Sequence, residues 1–277
     1  MLLRRSPRPD LVPFVKFLWI SDQATEQRLV EAQREHVLPT GMMHLVFRIS
    51  DQPLRLYDGA EDASGHGLGF AVVGGARSTY YVRDISKPAC SVGALLHPGA
   101  AESLFGLLAD EIAGHHVRLE DLWGSPANFA RERLLDAHLP ERQLEMLETL
   151  LASRLRSPRG LHPAVAHALE RFKTVHAVHD AVARSGYSHR QFVSRFRRAV
   201  GLTPKVYCRV LRFQKVLSHV TTNRLASFAD LALAAGYSDQ SHFNREFREF
   251  TGVTPGEYRR ILPSLTHHLP LSLDPRP

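Results

Sequence analysis

The first half of the chain contains short hydrophobic runs in which apolar and polar positions alternate. In Met42–Ser50 every second residue from Met43 to Ile49 is apolar. These residues share one face, because successive side chains of a strand point to opposite sides. Glycine and proline turns separate the runs, so the pattern predicts short strands that are typical of a small antiparallel sandwich or barrel. The predicted strands are Phe14–Ser21, Met42–Ser50, Leu54–Tyr57, Phe70–Val73, Thr79–Ile85 and Cys90–Leu96.

After Pro98 the apolar residues recur at i, i+3 and i+4, which is the spacing of helices. Helices are predicted at Ala100–Leu108, Pro126–Ala137 and Glu141–Leu155, and throughout Leu161–Leu262. The helix-breaking stretch "SPRG" separates the two halves. The predicted fold class is therefore α+β. We divide the chain into a regulatory β domain with C-terminal helices (1–156), a linker (157–160), an all-helical domain (161–262) and a flexible tail (263–277).

Two stretches of the helical domain repeat each other: "GYSHRQFVSRFRRAVGLTP" (Gly186–Pro204) and "GYSDQSHFNREFREFTGVTP" (Gly236–Pro255), with one residue inserted in the second. Each follows a short helix rich in small residues and begins with a glycine suited to the left-handed conformation that ends a helix. A serine, Ser188 or Ser238, then stands at the expected N-cap of the next helix. Helix, glycine turn and capped helix together form the pattern of a helix-turn-helix motif.

The second helix of each copy has an apolar face and an opposite polar face. Phe192 and Phe196 mark the apolar face in the first copy, and Phe243 and Phe247 mark it in the second, whereas Glu246 is expected on a flank. The polar faces carry Arg190, Ser194 and Arg197 in the first copy, and Ser241, Arg245 and Arg248 in the second, with Val193 and Asn244 at the edges. Arginine can contact guanine or phosphate, asparagine and glutamine suit adenine, and serine suits either base.

Between the copies, Lys205–His219 predicts one connecting helix. Such a helix would hold the two polar faces on one side of the domain. This arrangement suits successive major grooves about 34 Å apart, so that one monomer could contact both.

The charge distribution supports a polyanionic partner for the helical domain alone. The net charge is +7, yet residues 161–262 carry 16 Lys and Arg against 7 Asp and Glu, whereas residues 1–160 carry 18 against 20. Cys90 and Cys208 fall in different predicted domains, so we expect no disulfide framework and a reducing cytoplasm. No apolar run is long enough for a membrane span, and the start of the chain lacks a secretory apolar region, so no membrane partner is expected.

The stretch "LALAAGYSDQSHFNREFREFTGVTPGEYRR" (Leu231–Arg260) resembles the signature of the AraC/XylS family of bacterial transcription regulators. This resemblance implies that double-stranded operator or promoter DNA is the partner. The first recognition helix departs from the family at Ser194, where a basic residue is usual, while Arg195 lies one step around the helix. The DNA contacts implied by the resemblance are Arg190, Gln191, Val193 and Ser194 in the first helix, and Gln240, Ser241, His242, Asn244 and Arg245 in the second.

The N-terminal half is similar to a poorly characterised sensor-like domain that precedes this module in some members of the family. The likeness rests on "LPTGMMHLVF", "GALLHPGAAESLFG" and "VRLEDLWG". It implies a cupin-like β-structure followed by helices, and it identifies no ligand.

Other chemistry has little support in the sequence. The residues His36, His44 and His97 lie on or near strands, but packing or surface roles are favoured over a cupin-type metal site. The glycine-rich stretch Gly65–Gly69 is followed by no helix pattern, so a hairpin loop is expected rather than a dinucleotide loop. No catalytic triad order, nucleophilic cysteine context or P-loop appears, so we expect no enzyme, cofactor or metal. Four strand aromatics, Trp19, Phe47, Tyr80 and Tyr81, are expected in the core rather than around a pocket.

The sequence thus predicts a cytoplasmic, sequence-specific transcription regulator. Its N-terminal domain would modulate DNA binding through a small-molecule effector or through homodimerisation, and an activator would also contact RNA polymerase. Two alternatives stay open. The N-terminal domain could mediate only protein–protein contacts, or it could be a cupin-type metal-binding or enzymatic domain fused to a DNA-binding module.

Overall fold

The structure is a computed structural model that describes residues 2–22, 32–59, 61–156, 160–223 and 226–271. The predicted linker falls outside the described residues except for Gly160, and so does the tail beyond Leu271. Among the described residues, no helix combines the length and apolar composition needed to cross a bilayer.

Two antiparallel sheets form a sandwich in the N-terminal half. The first has six strands in the spatial order β1 (Leu2–Arg5), β2 (Val15–Asp22), β9 (Cys90–Leu96), β4 (Met43–Arg48), β7 (Ala71–Gly74) and β10 (His116–Arg118). The second has five in the order β11 (His268–Leu271), β3 (Arg34–Val37), β8 (Tyr81–Asp84), β5 (Leu54–Tyr57) and β6 (His66–Gly69). All six predicted strands are present, and the predicted antiparallel β-structure is confirmed.

Five strands were missed, all of them only three or four residues long: β1, β3, β6, β10 and β11. One of them corrects a prediction directly. The stretch Gly65–Gly69 was expected to be a hairpin loop, but His66–Gly69 forms β6 and pairs with β5.

The segment after the helical domain also differs from the flexible tail that we expected. His268–Leu271 pairs antiparallel with β3, with His268 opposite Val37 and Leu271 opposite Arg34. Leu269 is fully buried, and this burial favours the ordered strand. The strand lies at the edge of its sheet, where Pro270 can be accommodated.

Helices pack on the outer face of the first sheet. They are α1 (Ala100–Phe105), α2 (Leu119–Trp123), α3 (Pro126–Asp136) and α4 (Pro140–Arg154), with a 3₁₀ turn at Ala109–Glu111 after α1. The first is shorter than predicted because Gly106, with φ 75°, ends it and donates its N–H to the carbonyls of Ala101 and Glu102. Leu45 and Phe47 point from β4 into this core and are fully buried.

The C-terminal half is helical, as predicted. It contains α5 (Pro163–Phe172), α6 (Val178–Ser185), α7 (His189–Val200), α8 (Pro204–Thr222), α9 (Phe228–Ala234), α10 (Gln240–Thr251) and α11 (Pro255–Ile261). The connecting helix α8 has 19 residues, which makes it about 28 Å long at 1.5 Å per residue.

The two halves share one continuous core of buried residues. At their junction the Nδ1 atom of His36 lies 2.7 Å from the carbonyl oxygen of Thr251, and the ring of Tyr80 stacks on His36. The amide of Gln214 on α8 donates to the carbonyl of Pro39 at 2.6 Å. Because the core runs across it, the division at 157–160 stays a prediction.

Candidate nucleic-acid interface

The first motif consists of α6, a glycine turn and α7. Gly186 adopts the left-handed conformation with φ 72° at the end of α6. Ser188 then caps α7: its Oγ accepts the N–H of Gln191, and the Oε1 of Gln191 accepts the N–H of Ser188 at 3.1 Å. The predicted cap is confirmed. It engages the side-chain carbonyl of Gln191, so only the amide NH₂ of this residue is left to reach DNA.

The second motif, α9 to α10, has the same turn but a different cap. Gly236 has φ 79°, as the turn requires. Ser238 was predicted to cap α10, but this is wrong: Asp239 does so, accepting the N–H of His242 at 2.7 Å. The residue inserted in this copy moves the helix start by one position. The hydrogen bond from the His242 backbone lowers the pKa of Asp239.

The helix-wheel assignment of the cores is correct. Phe192 and Phe196 on α7, and Phe243 and Phe247 on α10, are all buried. Most residues of the two polar faces are exposed. The exposed residues are Arg190, Gln191, Ser194 and Arg197 on α7, and Gln240, Ser241, Asn244, Arg245 and Arg248 on α10, whereas Val193 and His242 are half-buried.

Two arginines stand out on these faces. Within the part of the chain that the structure describes, the guanidinium groups of Arg190 and Arg245 have no hydrogen-bond or ion-pair partner. By contrast, His242 is held at the flank of α10. Its ring meets the edge of Tyr237 at 5.3 Å between centroids, and its Nδ1 lies 3.2 Å from the Oγ of Ser238.

Glu246 does not lie on a free flank of α10, as the sequence suggested, but is buried at 3% exposure. Its carboxylate accepts the Tyr237 hydroxyl at 2.8 Å, Arg209 Nε at 2.8 Å and Arg212 Nη2 at 3.2 Å. Arg209 and Arg212 project from α8, so this carboxylate fixes α10 to the connecting helix α8. Sequence reasoning missed this residue, because its partners lie 34 and 37 positions away on another helix.

The N-terminal half approaches the polar face of α7. Arg197 Nε lies 3.8 Å from Asp110 Oδ2 in the 3₁₀ turn. A Cβ atom at Gly201, just after α7, would come within 3.1 Å of the Ala109 carbonyl, so the two backbones are close. A shallow depression results, lined by Asp110, His189, Arg190, Val193, Ser194, Arg197 and Thr203. An acidic side chain therefore stands beside the face that was predicted to contact DNA.

The three histidines considered for a metal site are not brought together. His36 faces the helical half, His44 faces the interior of the sandwich, and His97 lies near Lys16, whose charge lowers its pKa in addition to the effect of burial. In the described parts of the chain, no three or more His, Cys, Asp or Glu side chains are arranged to hold a metal ion.

The four strand aromatics have three different environments. Phe47 is core, as expected. Tyr80 lies at the junction with the helical half, where it stacks on His36 with 3.9 Å between ring centroids. Trp19 and Tyr81 are half-buried and face the space between the two sheets.

Comparison with known proteins agrees with this geometry. Residues 181–261 match a family model described as a helix-turn-helix domain, and residues 3–118 match one described as a domain of unknown function. The HTH-type transcriptional activator RhaR of Klebsiella pneumoniae is 32% identical over 163 residues, which are 58% of this chain and 46% of that protein. The HTH-type transcriptional regulator MtrA of Neisseria gonorrhoeae is 33% identical over 81 residues, which are 28% of this chain and 26% of that protein. The chain thus spans less than half the length of these relatives.

Among solved structures, ToxT from Vibrio cholerae aligns with 94% of this chain and 97% of its own length, at 10% identity and a TM-score of 0.47. The C-terminal domain of AraT from Geobacillus stearothermophilus aligns with 36% of this chain and 86% of its own length, at 19% identity and a TM-score of 0.34.

Proposed function

We propose that the C-terminal half is a DNA-binding domain of the AraC/XylS type, and that the chain is a bacterial, cytoplasmic transcription regulator that binds operator or promoter DNA. One observation carries the proposal. Both α7 and α10 present a guanidinium group, Arg190 and Arg245, that has no partner among the described residues and lies opposite buried phenylalanines, and α8 connects the two helices. In this proposal each helix enters one major groove of the same duplex.

The second helix supplies the better-defined contacts. Arg245 is exposed in mid-helix and suits a bidentate contact with guanine, while Gln240 and Asn244 suit adenine. Ser241 suits either base or a phosphate, and Arg248 lies one turn further along, where a phosphate contact is favoured. His242 would contact DNA only from the flank of the helix.

The first helix supplies fewer charges. Arg190 lies near its start and can reach a base or a phosphate, and Ser194 and the amide of Gln191 add short polar contacts. Val193 suits the methyl group of thymine. Arg197 would contact a phosphate, for which the nearby carboxylate of Asp110 is a competitor.

The same competition suggests how the N-terminal half modulates DNA binding. A duplex on α7 brings phosphates towards Arg197, and the repulsion between these phosphates and Asp110 favours displacement of the 3₁₀ turn. A small-molecule effector or a homodimer contact that moves this turn would therefore change DNA affinity. It can do so if it binds the chain more tightly in one arrangement than in the other, with the turn either close to α7 or displaced from it. In an activator, RNA polymerase would be a further partner. The relatives named above are regulators, and we propose no enzymatic activity for this chain.

The proposal is tested with the full chain and duplexes found by footprinting DNA upstream of the gene. Arg245→Ala should weaken specific binding by about 1–3 kcal/mol, or roughly 5- to 150-fold, and should spare scrambled DNA. Arg190→Ala should lose less discrimination, and it should reduce the slope of log K against log salt by about one if its contact is a phosphate.

The matched control is Arg133→Ala on α3, which removes the same charge from an exposed site outside the helix-turn-helix domain. Anisotropy titrations at two salt concentrations measure all three variants. If Arg133→Ala weakens specific binding as much as Arg245→Ala, the polar face of α10 does not read the DNA.

A further inference from the structure

The space between the two sheets holds a group of ionisable side chains beside a small apolar cluster of Leu54, Leu56 and Val72. His44 on β4 and His116 on β10 lie on the same face of the first sheet, since both pair with Gly74. Tyr81 on β8 meets them from the second sheet, with its ring centroid 4.5 Å from His116 and 6.2 Å from His44. Arg48 shares the face of His44, four residues along β4, and Arg83 shares the face of Tyr81, two residues along β8.

Positive charge predominates in this interior. Arg83 pairs with the buried carboxylate of Glu35, which also accepts from His268 at 2.9 Å. Among the described residues, the guanidinium of Arg48 donates to the hydroxyl of Ser91, at 3.2 Å, and to no carboxylate. In the described chain, Arg83 is thus the one guanidinium of this interior with a carboxylate partner.

The third guanidinium, Arg77, lies in the loop between β7 and β8. Its Nη2 atom donates to the carbonyl of Gly114 at 2.6 Å and lies 3.3 Å from His116 Nδ1, and its charge stands 4.5 Å above the ring of Tyr81. These partners are all neutral. Two buried or half-buried guanidinium groups, Arg48 and Arg77, therefore form no ion pair with any described side chain, although the more distant charges of Glu35 and Asp84 act on Arg48.

Several donors in this interior have no acceptor. Among the described residues, the Nε atoms of Arg48, Arg77 and Arg83 and the Nε2 atom of His116 are buried without a hydrogen-bond partner. Burial, together with the charges of His44 and Arg77, lowers the pKa of His116, so its ring is neutral at pH 7. Because Nδ1 can accept from Arg77, the ring proton belongs on Nε2, which makes this atom a fourth donor.

Unpartnered buried donors are costly, and buried charges are normally paired. Folded proteins leave few such atoms, and four of the seven found among the described residues lie in this one place. His44, Tyr81 and Trp19 face this space and are only half-buried, so part of it is open to solvent.

We propose that the space between the two sheets binds a small oxyanion, a carboxylate or a phosphate group, through the unpartnered N–H donors of Arg48, Arg77, Arg83 and His116. An oxyanion supplies both the missing counter-charge and several acceptor lone pairs. Arginine is the side chain best suited to this role, because its planar donors match the geometry of carboxylates and phosphates. The binding itself stands apart from DNA recognition; only its role as effector site rests on the proposed function.

The strands that line this space also contact the helical half. Glu35 and His36 are neighbours on β3 and point to opposite faces, so His36 reaches Thr251 at the end of α10. Tyr80 and Tyr81 are related in the same way, and Tyr80 stacks on His36. A shift of β3 or β8 on oxyanion binding would be transmitted directly to this junction.

The test titrates the full chain with sodium succinate and with sodium phosphate, each against sodium chloride of equal ionic strength and against neutral succinamide. Thermal unfolding and calorimetry should show saturable binding of one oxyanion per chain, with no effect of succinamide. The anion that binds with the higher affinity identifies the head group as carboxylate or phosphate. No saturable effect beyond chloride, or an equal effect of succinamide, would overturn the proposal.

Variants locate the binding. Arg48→Met and Arg77→Met should each weaken oxyanion binding at least tenfold, while the exposed control Arg133→Met should leave it unchanged. The double variant Arg190→Ala/Arg245→Ala should still bind the oxyanion, and this separates the site from the basic face of the DNA-binding domain. Equal binding by Arg48→Met and wild type, or loss in the double variant, refutes the assignment. If the methionine variants do not fold, the succinamide comparison on the wild type decides.

Discussion

Replacing Glu246 with alanine tests whether its buried carboxylate fixes α10 to the connecting helix α8. The carboxylate is held by Tyr237, Arg209 and Arg212, and its removal leaves the Tyr237 hydroxyl and Arg212 Nη2 without their acceptor. Breaking a buried pair by removing one partner costs about 3–5 kcal/mol.

The lower end of this range applies, because the side chains of Arg209 and Arg212 keep 28% and 21% of their surface exposed. Arg209 also retains its second partner, Glu249. We therefore expect Glu246→Ala to reduce the free energy of unfolding by about 3 kcal/mol, which for a chain of this size is a fall of roughly 6–12 °C in Tm.

Urea denaturation followed by circular dichroism measures this loss. The matched control is Glu249→Ala on the same helix, whose exposed ion pair with Arg209 contributes about 0–1 kcal/mol. Glu246→Gln keeps the shape and one acceptor oxygen, so it should fall between the two. If Glu246→Ala and Glu249→Ala agree within about 0.5 kcal/mol, the carboxylate does not hold α10 and the reasoning fails.

Three further perturbations follow from contacts described above. Asp110→Asn should tighten DNA binding by up to about fivefold, since an exposed ion pair is worth about 0–1 kcal/mol; an equal effect of Glu132→Gln would contradict this. Gly236→Ala should lower the free energy of unfolding by about 1–2 kcal/mol through backbone strain. Gly252→Ala should lower it clearly more in chemical denaturation, because the new Cβ at position 252 would also lie 2.5 Å from the His36 ring. Burial first, then the charges of Arg77 and Arg83, lowers the pKa of His44 to about 3. The unfolded state therefore takes up this proton first, and the contribution of His44 to stability falls by about 1.4 kcal/mol per pH unit as pH drops from about 6.5 towards 3. His44→Gln should flatten the measured slope by that amount, and an unchanged slope would refute it.

The helix-turn-helix motifs could be predicted because every local signal agreed. Glycine turns, capping side chains and phenylalanine spacing all point to the same two helices, and Ser188 caps α7 as expected. The second cap was misplaced because Ser238 and Asp239 are both good caps, and only the inserted residue decides between them. Glu246 was missed because a wheel reports only the angle of a residue, whereas its burial depends on Arg209 and Arg212 in a distant helix.

The missed strands have a different cause. Strand prediction relies on an apolar inner face, but the inner face of this sandwich carries Glu35, Arg83 and His116. The sequence "REHV" of β3 therefore looks like a charged loop, although three of its four residues are buried. The approach of the 3₁₀ turn to α7 was equally hidden, because no local pattern reports a contact between Asp110 and Arg197.

The pairing of β3 with β11 has a consequence for biosynthesis. Glu35 and His268, which meet in the finished protein, lie 233 positions apart in the chain. While the ribosome makes the intervening helices, β3 has a neighbour on one side only, and an unpaired strand edge is a template for intermolecular association. Closing so long a loop is also slow compared with forming local helices. The nascent chain must therefore carry an open sheet edge until His268–Leu271 has been made, and termination before this strand leaves that edge permanently available for aggregation.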